Sequence, residues 1–68
     1  MNKMSFDEYK NEVIRNFYQL SGIPEKDAVP FLNSAKVQSK IKSSYKYFQE
    51  SPCFEPKAVA SCLDMMYE

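Results

Sequence analysis

Histidine and tryptophan are absent from this 68-residue sequence, glycine occurs once (Gly22), and a single arginine, Arg15, stands among nine basic residues. Without histidine the chain lacks the commonest general base, the commonest metal ligand and the base half of a Ser-His or Cys-His nucleophile. One glycine cannot build a phosphate-cradling loop. With Arg15 as the only guanidinium, bidentate recognition of phosphate or guanine has one possible donor. The nine acids balance the nine bases, so no global field draws the molecule to polyanions or membranes. No apolar run reaches the roughly 18 residues of a spanning helix. The opening Met1-Asn2-Lys3-Met4-Ser5 passes directly into an amphipathic pattern with no signal peptide, so a cytoplasmic location is expected, with no membrane role. Cys53 and Cys62 lack CxxC or zinc spacing and are expected to be reduced thiols, buried or half-buried. The acid pairs Asp7-Glu8 and Glu25 with Asp27 fall where helices begin, and there carboxylates complement the helix dipole. These absences predict a protein without catalytic residues, metal or cofactor.

What is present points to one small helical domain over residues 1–68. A chain this short buries only roughly 60% of the surface its unfolded form exposes. Five Phe and five Tyr must supply much of its apolar core. No segment alternates with period two and no Asn-Gly or Gly-Gly turn occurs, so strands are not expected.

Four helices can be read, at about 6–20, 28–33, 35–49 and 56–67, which predicts an all-α fold: a compact bundle of three to four short helices. Ser5-Phe6-Asp7-Glu8 is a capping box, and Phe6, Tyr9, Val13, Phe17 and Leu20 then recur at intervals of three and four on one face, widened by Ile14 and Tyr18. Gly22 stops this helix. Between Pro24 and Pro30 either Pro24 opens a helix that Pro30 kinks, or Asp27 caps a shorter helix with Pro30 in its first turn, and the second reading is preferred. Asn33-Ser34 makes a turn and a new cap. The third helix buries Val37, Ile41, Ser44 and Phe48 with Tyr45 at the edge, and Ser51-Pro52 ends it. Pro56 starts the fourth, with a stripe of Val59, Cys62, Leu63 and Met66 flanked by Ala58 and Tyr67. Phe54, just before it, is expected to staple onto that helix, with a role as a second binding anchor as the alternative.

The candidate site is the third helix. Lys36, Lys40, Lys42 and Lys46 fall within eleven positions that hold no acid. With Val37 at zero on a helical wheel, Lys42 and Lys46 lie near about 140° and 180°, Lys36 and Lys40 near about 260° and 300°, and Tyr47 near about 280°. This arc is either a solvated face or a contact surface. As a contact surface it fits a protein partner, with the four lysines meeting acids and Tyr47 as anchor. As an alternative, helices 28–33 and 35–49 form a helix-turn-helix-like unit placing Lys36, Gln38, Ser39 and Lys40 in a DNA major groove. A third possibility is a self-associating structural module, a homodimer formed through an apolar stripe of the first or last helix.

Phe6-Asp7-Glu8-Tyr9, the helix start from Glu25 to Ala28, and Phe54-Glu55-Pro56-Lys57-Ala58-Val59-Ala60 with Leu63 and Tyr67 give most of the chain a resemblance to a known group. It resembles short, uncharacterised helical accessory proteins encoded on bacterial mobile elements and phages. The resemblance implies a cytoplasmic accessory protein that acts by binding, with host or defence components among its possible partners, and it carries over no ligand or catalytic residue.

Overall fold

The computed structural model describes residues 4–50 and 54–67. Four helices and no strand are present among them: α1 (Phe6–Ser21), α2 (Glu25–Leu32), α3 (Ala35–Glu50) and α4 (Pro56–Tyr67). The all-α bundle expected from the sequence is the fold.

α1 begins as the capping box requires. The Glu8 amide donates to Ser5 Oγ at 3.2 Å and the Ser5 amide donates to Glu8 Oε1 at 3.0 Å, so two otherwise orphaned donors of the first turn are satisfied. The helix ends at Gly22, whose φ of 68° is left-handed and whose amide donates to the Tyr18 carbonyl at 3.0 Å. Tyr9, Val13 and Phe17 are fully buried, with Phe6, Ile14 and Tyr18 packed around them. Leu20, expected on the same face, is instead 47% exposed. The stripe runs past the end of the surface that the other helices cover.

α2 corrects the preferred reading of the Pro24–Pro30 stretch. The helix starts at Glu25, with Pro24 as the N-cap residue whose carbonyl accepts from Asp27 and Ala28, each at 3.0 Å. Asp27 is therefore a first-turn acid rather than a cap, and Pro30 lies inside the helix. Pro30 has no N–H for the Lys26 carbonyl, but both residues are exposed, so water can meet that group. The acids Glu25 and Asp27 favour the helix through its dipole.

The Asn33-Ser34 turn leads directly into α3, where Ser34 Oγ accepts from the Val37 amide at 3.4 Å. Gln38 turns back across the turn and donates to the Leu32 carbonyl at 2.7 Å, closing an open acceptor at the end of α2. Val37, Ile41 and Ser44 are buried and Phe48 and Tyr45 half-buried, in the expected phase. The predicted Ser51-Pro52 stop lies outside the described residues.

α1 packs most extensively on α4. The two run in the same direction: the Tyr9 hydroxyl meets Phe54 at the start of α4, and the Phe17 ring lies 6.4 Å from that of Tyr67 at its end. α3 brings its C-terminal part to the start of α1, where the rings of Phe6, Tyr9, Tyr45 and Phe48 interlock at centroid distances of 5.0 to 5.3 Å. Offset and edge contacts of this kind add to the area the rings bury. A second aromatic group, Phe17, Tyr18, Phe31 and Tyr67, fills the opposite end. On α4 the buried residues are Val59, Ala60 and Leu63. Cys62 and Met66, expected in that stripe, are exposed, and buried Ala60 replaces exposed Ala58 as the small flanking residue. α4 is thus rotated so that Ala60, with only a methyl group, faces the core. Cys62 is a free, exposed thiol rather than a buried one, and Cys53 lies outside the described residues.

Candidate protein-binding face

From Lys36 to Tyr47 α3 presents its outer side without an acid, and exposed Glu50 follows only at the end of the helix. Lys36, Lys42 and Lys46 are exposed and Lys40 is half-buried. Among the described residues the ion pair present is Glu12–Arg15 on α1, at 3.2 Å, and none of the four lysines has an acidic partner. Lys36 with Lys40, and Lys42 with Lys46, are like charges one turn apart, an arrangement that costs a helix about 0.2 to 0.5 kcal/mol per pair. Lys36 also lies in the first turn of α3, where no acid offsets it and where the dipole disfavours a cation. These charges do not stabilise the helix that bears them.

The two lysine pairs have different neighbours. Lys36, Lys40 and Tyr47 lie along one flank, and Tyr47 is 52% exposed. Phe54, from the segment before α4, stands against this flank: its ring centroid is 5.5 Å from that of Tyr47, and Lys40 Nζ lies 6.0 Å from the Phe54 centroid. That separation is at the outer reach of a cation–π contact. Lys42 and Lys46 occupy the other side of the arc. Phe54 thus packs on the cationic flank of α3, beside Tyr47 and Lys40.

Phe54 has φ of 61°, the left-handed region that a residue with a Cβ enters at a cost of about 1 to 2 kcal/mol. Its carbonyl accepts a 2.7 Å hydrogen bond from the Tyr9 hydroxyl. Tyr9 is fully buried beneath α3 and α4. Burial pushes its phenol up from 10.0 to about 12, with a hydrogen bond to the Ser44 side chain pulling the other way. A second tyrosine does the same for the segment before α1, Tyr45 donating to the Met4 carbonyl at 2.7 Å. Both hydroxyls thus tie non-helical backbone to the helices.

The residues of the helix-turn-helix alternative are differently placed. Lys36 and Ser39 are exposed, Lys40 is drawn toward Phe54, and the Gln38 amide already serves the Leu32 carbonyl. Elsewhere, an open depression of about 310 Å³ lies over Met4 and Phe48 and is edged by Glu12, Asn16, Glu55 and Lys57. Its polar side chains are in part engaged: Glu12 pairs with Arg15, and Asn16 Nδ2 donates to the Glu12 carbonyl at 2.7 Å. Among the described residues no cluster of three or more acids or cysteines is arranged to hold a metal ion, and no helix is long and apolar enough to cross a membrane.

No sequence signal marked Tyr9 as a tether, and Phe54, offered as a second anchor only in the alternative reading, carried no signal for its left-handed backbone. Positive φ is ordinarily announced by Gly or Asn, and the Tyr9 contact joins residues 45 positions apart. The fold and face together define a small all-α bundle with one cationic helix. Comparison with protein families, curated proteins and solved structures found no match for the chain.

Proposed function

We propose that the protein is a non-catalytic accessory protein that binds another protein through the outer face of α3, with Lys36, Lys40, Lys42, Lys46 and Tyr47 in contact. The observation that carries this reading is the set of four lysines held as two like-charge pairs with no acidic partner among the described residues. Such an arrangement destabilises the isolated helix and is relieved when an acidic surface is brought to it. Exposed Tyr47 adds large contact area at low entropy cost, the usual property of an interface anchor. The role as an accessory factor of a mobile element follows from the resemblance alone.

The test is a comparison of affinity purifications from native cells with the wild-type chain and with Lys36→Gln/Lys40→Gln/Lys42→Gln/Lys46→Gln. Removing two repulsive pairs makes the variant as stable as the wild type or more so, by up to about 1 kcal/mol. A partner that the wild type captures is lost from the variant. A variant that folds and retains every wild-type partner refutes the face.

A further inference from the structure

We propose that the binding half of this face is the flank formed by Lys36, Lys40, Tyr47 and Phe54, that it receives an acidic segment of a partner protein carrying one aromatic or apolar side chain, and that Tyr9 is the positioning residue that holds Phe54 in place. This rests on the reading of α3 as a protein-binding face and goes beyond it by choosing one flank, an occupant and a buried determinant.

Four observations converge on that flank. Phe54 and Tyr47 place two exposed, adjacent rings beside one cation, Lys40, and Lys36 lies one helical turn before Lys40 on the same side of α3. Lys36 and Lys40 have no acid among the described residues to satisfy them, so the missing partner charge is negative. Phe54 is held in left-handed backbone that a phenylalanine does not choose for itself. Finally, the bond that holds it comes from a fully buried hydroxyl, so the position of the exposed ring is set from inside the core. Backbone strain of this kind persists only where the surroundings impose it, and it collects at sites where a side chain must be presented. A strained, tethered aromatic beside Lys40 fits an acidic segment whose own apolar side chain covers the two rings while its carboxylates reach Lys40 and, one turn along α3, Lys36. Among the described residues no ring stands against Lys42 or Lys46 as Phe54 does against Lys40, so that side of the arc is placed to steer rather than to hold.

The probe is a fluorescently labelled synthetic peptide of glutamates around one central phenylalanine, titrated with the intact protein at several salt concentrations. Lys36→Gln/Lys40→Gln is expected to weaken binding about tenfold or more and to flatten its salt dependence, while Lys42→Gln/Lys46→Gln weakens it less than about threefold. Phe54→Ala and Tyr9→Phe are each expected to weaken binding about fivefold or more with the salt dependence unchanged, because they alter the anchor and not the charge. Phe54→Gly separates presentation from folding: it removes the ring and accepts the left-handed backbone, so its melting temperature is maintained or raised while binding is lost. If Lys42→Gln/Lys46→Gln has the larger effect, the choice of flank is wrong and the α3 face stands. If both lysine pairs matter equally and Phe54→Ala and Tyr9→Phe do nothing, binding is unspecific attraction and the inference fails. No saturable binding of the peptide, or binding of duplex DNA in its place, overturns it as well.

Discussion

The buried phenol of Tyr9 makes alkaline stability a direct test of how the core is built. In the folded protein its ionisation is pushed up to about 12 from 10.0, chiefly because the phenolate would lose its hydration on burial. A raised folded value means that the unfolded chain releases this proton first. The contribution of Tyr9 to stability is therefore fully present below pH 10 and is lost as pH rises from about 10 to about 12. At about 1.36 kcal/mol per pH unit the full interval is worth about 2 to 3 kcal/mol, of which about half is gone at pH 11. Tyr9→Phe removes the titration together with the hydrogen bond to the Phe54 carbonyl, a bond worth about 0.5 to 1.5 kcal/mol at neutral pH. The variant is thus the less stable protein at pH 7 and the more stable one at pH 12, with the two curves crossing between about pH 10 and pH 11. Urea unfolding followed by circular dichroism at intervals from pH 7 to pH 12 measures both curves. The lysines and remaining tyrosines titrate in both proteins, so the difference between curves isolates Tyr9. Curves that stay parallel from pH 9 to pH 12 would refute the burial of the hydroxyl as a protonated donor.

Two further perturbations probe the framework that carries the face. Gly22→Ala meets no atom within 4 Å of the new Cβ, so its cost is the left-handed backbone alone; a loss of about 1 to 2 kcal/mol in thermal melts is expected, and an unchanged melting temperature would show that α1 does not need this stop. Leu63→Ala, in the principal packing surface between α1 and α4, removes a fully buried side chain and should cost about 2 to 5 kcal/mol. A 68-residue domain has about 3 to 10 kcal/mol in all, so this variant should lose a large share of that stability and melt well below the wild type by circular dichroism, and a fully cooperative, wild-type-like melt would contradict the assigned core.

Much of the fold was legible because its signals are local. The Ser5 and Glu8 box, the single glycine at the end of α1, the Ser34 cap and the Val37-Ile41-Ser44 phase of α3 each act within one or two helical turns, and each appears where the pattern placed it. Pro30 misled because its usual position is a first turn, whereas exposed backbone at Lys26 lets a short helix contain it. Of the candidate site, the sequence identified the lysines and the outward direction of Tyr47, since helical phase alone fixes those. It did not divide the lysines into two unlike pairs, because that division depends on Phe54, which arrives from a separate segment.

The sequence by itself determined the four helices, the cap and stop of α1, the Ser34 cap of α3 and the inward side of α1 and α3, because capping and periodicity are properties of neighbouring residues. Only the tertiary structure decided which edge of each apolar stripe is covered. Leu20, Cys62 and Met66 lie outside the core, and Ala60 is inside it, because these outcomes depend on how far and at what rotation one helix lies on another. The tertiary structure also decided the character of the cationic face. A run of lysines is a charge pattern in one dimension, and it gains an aromatic neighbour only when a buried tyrosine hydroxyl bonds the backbone of Phe54 beside it.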